Sequence, residues 1–523
     1  MKYFKKICFY LEKNNKSNYI DNKKYLLIAD RERFVPAFSM SIFAKAICHK
    51  YKLTPIIISD LKENHEIKRV FNSFGFFNFF SSFRFNLILQ NLDIFFNTSY
   101  IFLATIIKVK KNSFKWFIDE FKVNQINFGD IVYDTYIRNY NNYANPRIDL
   151  IFCLILFKTI FRTLNIEKKL FSKNIRAVII GTQCYETNGA IVTRIAIKKK
   201  IKVLEPYFYG FTEKTYKTLK FGYFNQYVKK NIKKITNVSK EIANKYFHKK
   251  FYKNAPGNYT GRKDIFNQNK NKIKNIITRE DFFKILKIKN QNYKKIILFA
   301  SHAFSDSPHS LGRSFLFDDY YQFLNETINY IDKNNDSSIL WLFKPHPSSW
   351  WYGEEGTVEK LVQKVNSENI LVFPKNLNTL NAINLCDHVI TGRGTIGMEF
   401  ACFGKLALIV GPGPYSSLNI VKSFDSKKFF FNYLNKIYKV KNIENKKKIL
   451  AKKLIYFLEH RNKNFLKKSI IFDSEVLKYF NSLNPKIRKK DHHVINNKLL
   501  SNLKRYKIEN DPYYKDVLDK III

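Results

Sequence analysis

Short runs of consecutive apolar residues, each separated from the next by a stretch with helical spacing, recur along this chain and restrict its fold more than any other feature. Tyr25-Leu26-Leu27-Ile28-Ala29-Asp30 is one such run and ends in a polar loop. A helical pattern from Pro36 to Lys50 follows, and then a second run, Pro55-Ile56-Ile57-Ile58-Ser59. Strand, helix, strand at this spacing makes a βαβ unit, which requires a parallel sheet and a right-handed crossover. The pattern returns with Ala177-Val178-Ile179-Ile180-Gly181, a helix around Ala190–Lys199 and Ile201-Lys202-Val203-Leu204, the second half of one α/β domain.

A second series starts at Ile296-Ile297-Leu298-Phe299-Ala300. It continues with helical spacing over Asp318–Ile331, a strand at Ser338–Phe343, a helix near Val358–Val365 and a strand at Ile370–Phe373. A helix around Leu377–Leu385, a strand at His388–Thr391, a helix over Ile396–Phe403 and a strand at Leu406–Val410 complete it. Strands and helices in this alternation predict a doubly wound sheet, which binds ligands beyond the carboxyl ends of its strands. Between the series, 225–295 is rich in Lys and Asn, carries turn signals at Pro256-Gly257-Asn258 and Thr260-Gly261, and reads as a helical connector. After Phe430 the chain is mostly Lys-rich helical sequence with a polar break near Asn484–His493. A chain of 523 residues is too long for one core. The expected division is an α/β domain at 1–224, the connector at 225–295, a second α/β domain at 296–430 and a helical segment at 431–523.

Charge is the compositional outlier: 91 Lys+Arg against 43 Asp+Glu gives a net +48 at pH 7. Such a balance suits polyanionic partners. Lysine is spread along the whole chain with abundant Asn, Ile, Phe and Tyr, as AT-rich coding produces. Neither paired Cys/His fingers nor an aromatic RNP-type strand is present, so nucleic acid is not an expected partner and an anionic membrane face is the stronger alternative. Cys8, Cys48, Cys153, Cys184, Cys386 and Cys402 stand far apart, with no Cys-x-x-Cys and no Cys/His metal spacing, which predicts neither disulfides nor zinc and fits a reducing compartment. The basic start Met1–Lys6 is followed by Glu12, Lys13 and Lys16, which break any signal-type apolar stretch, so a cytoplasmic location is expected. Two apolar regions, Phe71–Ile107 and Leu150–Phe161, are respectively interrupted by polar residues and shorter than the ~20 residues of a spanning helix. They read as core helices or interfacial faces, the first being the candidate for peripheral contact with the inner membrane.

Two loops of the second series carry the densest chemistry. After the strand ending at Phe343 comes Lys344-Pro345-His346-Pro347-Ser348-Ser349; after the one ending at Thr391 comes Gly392-Arg393-Gly394-Thr395-Ile396-Gly397-Met398-Glu399. The prolines stiffen the backbone around His346 and hold its imidazole where it can donate to a phosphate oxygen. In the second loop the glycines allow close backbone approach, Thr395 offers a hydroxyl at a helix start, and Arg393 adds a fixed charge.

These residues carry a resemblance. Over Ile296–Ser417 the chain resembles bacterial capsular and surface-polysaccharide glycosyltransferases of the GT-B type with a His-Pro motif, a group that includes Kdo and sialic acid transferases using CMP-sugars. The matching segments are Ser301-His302-Ala303-Phe304-Ser305-Asp306, Lys344-Pro345-His346-Pro347, Thr391–Gly397 and Gly411-Pro412-Gly413-Pro414-Tyr415-Ser416. In the N-terminal half, Gly129-Asp130-Ile131-Val132-Tyr133-Asp134 and Gly189–Arg194 are similar to capsule-biosynthesis sequences. The resemblance implies a GT-B-like α/β fold, two Rossmann-like doubly wound domains facing a cleft, with C-terminal helices. It places the acceptor on the N-terminal domain and the donor nucleotide on the C-terminal one. Lys344, His346, Arg393, Gly394 and Thr395 would hold donor phosphate and Glu399 the ribose, with His302, His309, Tyr415 and Ser416 elsewhere in the cleft. A Ser/Thr pair common in the second phosphate loop of related transferases is Gly394-Thr395 here, which leaves the donor's identity open.

An inverting transfer needs a carboxylate base for the acceptor hydroxyl and positive charge for the leaving phosphate. Asp130, Asp134, Glu186 and Asp306 are the candidates. Each has a plainer use: capping or pairing with Arg138 for the first two, a loop carboxylate for Glu186, an N-cap before Pro308 for Asp306. Glu399 equally suits a helix dipole. His302 and His309 do not make a metal site by spacing alone, and Asp318-Asp319 reads as a helix N-cap, so a metal-independent transfer without a cofactor is expected. The expected partners are a nucleotide-activated sugar and a glycan or lipid-linked glycan acceptor. The competing readings are a CDP-polyol phosphotransferase-like enzyme of surface polymer synthesis and a non-catalytic glycan assembly protein.

Overall fold

The computed structural model describes residues 23–29, 34–62, 65–140, 142–144, 146–207, 210–253, 276–288, 292–365 and 367–460, with 498, 501, 519 and 521–523 near the C-terminus. The chain divides into two compact units. One is built from Met1–Tyr136, Pro146–Tyr216 and Asn462–Ile523, the other from Ile137–Asn145 and Lys217–Arg461.

The first unit holds a six-stranded sheet. Its strands are β1 (Tyr25–Ala29), β2 (Thr54–Ile58), β3 (Phe79–Phe80), β4 (Ile175–Ile180), β5 (Lys202–Tyr207) and β6 (Gly210–Lys214), in spatial order β3-β2-β1-β4-β5-β6. All neighbours are parallel except β6, which runs antiparallel to β5. Leu26 to Ala29 and Ile56 to Ile58 are buried on both faces, which is why these strands read as unbroken apolar runs. Helix α1 (Phe34–Tyr51) makes the first crossover, and its Ile42, Phe43, Ala46 and Ile47 join Leu26, Ile28 and Ile57 in one core. Phe71, Phe74 and Phe76 fill the same core. Helix α2 (Leu92–Lys111) follows, then α3 (Gly129–Tyr140), which belongs to this unit as far as Tyr136, then α4 (Leu150–Lys169) and α5 (Asn188–Lys198). Thr187 starts α5 by accepting a hydrogen bond from the Ala190 N–H at 3.2 Å. The run read as Leu150–Phe161 is therefore the first part of a longer helix, packed along α2.

The second unit repeats the plan. Helix α6 (Lys240–His248) precedes β7 (Lys295–Ala300); then come α7 (Tyr320–Lys333), β8 (Ile339–Lys344), β9 (Ile370–Val372), β10 (His388–Thr391), α8 (Ile396–Cys402), β11 (Ala407–Ile409), β12 (Lys422–Ser423) and α9 (Asn445–His460). The order is β9-β8-β7-β10-β11-β12, parallel throughout. In both sheets the first strand lies at the centre and the order reverses beside it. Both units are doubly wound α/β, as expected.

The compact units differ from the expected division at 224, 295 and 430. Val228, Ile235, Phe251, Phe282 and Phe283, from the stretch read as a connector, lie in the same core as Ile296, Leu298 and Leu340. Ala451, Leu454 and Leu458 of α9 join them. Amphipathic faces that would be insoluble in a free connector are buried here against the second sheet. The turn signals at 256–261 and the polar break at 484–493 lie outside the described residues.

Candidate functional site

In the second sheet the order reverses between β7 and β10, so the carboxyl ends of these two strands form a topological switch point, the place where doubly wound sheets bind ligands. The loop after β8 joins them: the N–H and hydroxyl of Ser301, just beyond β7, both donate to the Lys344 carbonyl at 3.0 Å. His302, His346 and the Gly392–Thr395 turn are thereby brought together at the carboxyl ends of the inner strands. The two imidazoles lie parallel, with centroids 6.1 Å apart and planes 11° from each other. His302 also stacks on Tyr320 at 4.3 Å.

The hydrogen bonds assign the tautomers. Nδ1 of His346 accepts from the Ser348 N–H at 3.2 Å, so the neutral ring carries its proton on Nε2. Nε2 of His302 accepts from the Arg393 N–H at 3.2 Å, which puts its proton on Nδ1. Burial, then the neighbouring His346, then the Arg393 guanidinium hold His302 well below the ordinary histidine range, so it is neutral at pH 7.

The glycine turn is dictated by contacts. A Cβ on Gly392 would stand 3.0 Å from the Tyr320 ring and 3.1 Å from the His302 ring; one on Gly394 would stand 2.8 Å from the Thr391 hydroxyl. A Cβ on Gly397 would meet the Tyr415 hydroxyl at 2.5 Å. That hydroxyl donates to the Gly394 carbonyl. Tyr415 is thus buried beneath the turn and braces it, while the Ser416 hydroxyl closes its own turn on the N–H and carbonyl of Gly413 at 2.9 and 3.0 Å. Gly392, Gly394 and Gly397 have the spacing G-x-G-x-x-G after a strand and into a helix. Thr395 stands at the head of α8 and its hydroxyl makes no capping bond.

Arg393 is tethered within its own unit. Its Nη2 donates to the carbonyls of Pro308 (2.6 Å) and Gly312 (3.1 Å), and the guanidinium lies 5.4 Å from the Phe315 ring centroid. It ties down the loop after β7 while keeping its charge beside the turn. In the same loop His309 is buried, with Nε2 at 2.5 Å from the Asp318 carbonyl, and Asp319 caps α7 by accepting from the Gln322 N–H at 2.7 Å. Asp306 is partly exposed. The residues leading to it are held by Glu354, which sequence reasoning missed: its carboxylate accepts the N–H groups of Phe304 and Ser305 at 2.8 Å and the Ser305 hydroxyl at 2.6 Å. Burial raises the Glu354 carboxyl against the pull of those donors. Glu399, on α8, is buried; burial pushes it up to about 7, with Lys250 and Lys344 opposing and Glu459 reinforcing the rise.

Asp130, Asp134 and Glu186 belong to the first unit. All three are buried. Asp130 pairs with Arg194 at 2.6 Å. Glu186 lies on the loop after β4, pairs with Arg162 at 2.6 Å and with Lys158 at 3.6 Å, and its N–H donates to the Thr135 hydroxyl. Arg162 also holds Asp60, beyond β2, at 2.6 Å. Burial alone would raise Asp60, but Arg162, the Phe83 N–H and the hydroxyls of Ser82 and Ser81 outweigh it and keep the carboxylate below its usual range.

No family model and no curated protein matches the chain. Among solved structures, a glycosyltransferase from Rickettsia africae aligns over 96% of this chain and 100% of its own, at 13% identity and a TM-score of 0.27. The KpsC β-Kdo 2,7-transferase of Thermosulfurimonas dismutans covers 55% of this chain and 79% of its own, at 13% identity and 0.29. UDP-GlcNAc 2-epimerase from Neisseria meningitidis covers 84% and 100%, at 13% and 0.25. At TM-scores this low, the fold assignment stands on the strand orders of this chain.

Proposed function

We propose that this protein is a GT-B-type glycosyltransferase that moves a sugar from a nucleotide-activated donor, a CMP-sugar in the first instance, to a growing capsule, O-antigen or related surface glycan. The observation that carries the reading is the meeting of His302, His346 and the Gly392–Thr395 turn at the switch point of the second sheet. In this reading the donor phosphate lies against the turn, receives a hydrogen bond from Nε2 of His346, and is balanced by Arg393 and Lys344 as negative charge develops on it. Glu399 takes the ribose. A base must reach the acceptor hydroxyl, and of the four candidate carboxylates Asp306 is the one not buried. The scheme is written without a metal, and Asp319 of the acidic pair serves as the cap of α7.

Mass spectrometry of products, after incubating the protein with a nucleotide-sugar panel and short surface-glycan acceptors, tests the reading. A glycoside with release of the nucleotide, lost in Asp306→Asn, supports it. A phosphodiester product would assign the protein to polyol-phosphate transfer, and nucleotide binding with no turnover of any donor would assign it to a non-catalytic assembly role.

A further inference from the structure

Helix α2 is, among the described residues, the one helix long and apolar enough to cross a membrane, yet only 22% of its apolar window is buried. Its two faces do different things. Ile94, Thr98, Thr105 and Val109 face inward and are buried. The hydroxyls of Thr98 and Thr105 are satisfied by the carbonyls of Ile94 and Ile101 at 2.7 Å, and Phe95 and Phe102 pack on Phe157 of α4 with centroids 6.0 and 5.9 Å apart. Leu92, Phe96, Tyr100, Leu103 and Ile107 are all exposed. At about 100° per residue these five fall within an arc of roughly 80°, and at 1.5 Å per residue the stripe is about 22 Å long.

The stripe is extended sideways by Leu150 and Leu154, exposed on the first turns of α4. The two helices run antiparallel: Lys168 near the end of α4 pairs with Asp93 at the start of α2, and at the other end the charge of Lys110 reaches the Cys153 thiol. A contiguous apolar surface of this kind on a folded unit marks an interaction site. Its charge setting selects the partner. Lys108, Lys110 and Lys111 are exposed in the last turn of α2, while Asp93, the acidic residue of the helix, is neutralised by Lys168.

We propose that the outer face of α2, with the first turns of α4, docks in the plane of a bilayer surface carrying anionic lipid. The apolar stripe enters the boundary between headgroups and acyl chains, and the three lysines meet lipid phosphate. A spanning orientation is opposed by the inner face, whose Ile94, Thr98, Thr105 and Val109 are buried against the rest of the unit. The docking surface does not depend on the donor site or on the reaction proposed above.

The test is vesicle flotation of the full-length protein with phosphatidylcholine vesicles and with vesicles of phosphatidylcholine and phosphatidylglycerol in equal parts. The wild type should float with the mixed vesicles and bind pure phosphatidylcholine at least about tenfold more weakly. Two variants separate the contributions: Phe96→Ser with Tyr100→Ser and Leu103→Ser, and Lys108→Glu with Lys110→Glu and Lys111→Glu. All six positions are exposed, so melting temperatures should stay at the wild-type value while each variant loses at least about tenfold in partitioning. Failure of the wild type to float with the mixed vesicles, or flotation undiminished in the serine variant, overturns the proposal. So does concentration-dependent self-association that the serine variant abolishes without any vesicle binding, which would give this face to a second copy of the chain.

Discussion

The imidazoles of His302 and His346 leave different strands of the second sheet and lie parallel at 6.1 Å. Burial first, then the disfavoured second positive charge of a ring this close, then Arg393 keep His302 neutral. A bound dianionic phosphate reverses the balance by favouring the charged form. In an NMR titration His302 should stay neutral through the ordinary histidine range near about 6.5. Saturating nucleoside diphosphate should move its midpoint upward; an unchanged midpoint would remove phosphate from this end of the sheet.

Gly397 and Tyr415 should show strong coupling. Gly397→Ala places a methyl group 2.5 Å from the Tyr415 hydroxyl, an overpacking expected to cost about 1–3 kcal/mol. Tyr415→Phe alone loses the hydrogen bond to the Gly394 carbonyl, worth about 1 kcal/mol. In the double variant the clash with the oxygen is gone, so urea denaturation should give a combined loss smaller than the sum. Simple additivity would mean that the two residues do not meet.

Arg162 neutralises two carboxylates at once, Asp60 and Glu186, each at 2.6 Å. Replacing it by Met leaves Asp60 buried without its cation and Glu186 with Lys158 alone, at 3.6 Å. Loss of one partner from such a pair costs about 3–5 kcal/mol, and the first unit should unfold at correspondingly lower urea. Retention of wild-type stability would show the pairs to be replaceable by solvent.

Two groups in the second unit should give opposite pH dependences. Burial, helped by Lys295, lowers His388 to about 4, so its contribution is present above the ordinary histidine range and is lost as pH falls toward 4. Burial raises Glu399 to about 7, so its contribution is present below the ordinary glutamate range and is lost as pH rises through 7. Melting curves of His388→Gln should lose part of the rise in stability between about pH 4 and 6.5, and those of Glu399→Gln part of the fall between about pH 4.5 and 7. Parallel curves for either variant and wild type would contradict the assignment.

The central strands were legible because a parallel strand covered on both faces is an unbroken apolar run. Leu26 to Ala29, Ile296 to Ala300 and Leu340 to Phe343 all lie within the expected strands. The edges were not. Lys422–Ser423 is short and exposed, Gly210–Lys214 carries Thr212, Glu213 and Lys214, and Phe79–Phe80 spans a single pair of residues, so none has a readable period. At the site, His346 and the glycine turn announced themselves through proline and glycine spacing. Glu354, Tyr320 and the Asp60–Arg162–Glu186 network did not, because their roles arise from contacts between residues far apart in sequence. Arg393 shows the limit most clearly: its charge was legible, but its attachment to the Pro308 and Gly312 carbonyls follows from where the loop after β7 folds back.

The central claim is that the switch point of the second sheet binds nucleotide phosphate through His346. Isothermal titration of the full-length protein with CMP, CDP, UDP, GDP and ADP, repeated on His346→Ala, tests it most directly. Loss of a hydrogen bond to a charged group is worth about 1.5–3 kcal/mol, so the nucleotide that binds best should bind roughly 10–100-fold more weakly to the variant. Equal affinity in both proteins, or no binding of any of the five to the wild type, would contradict the claim.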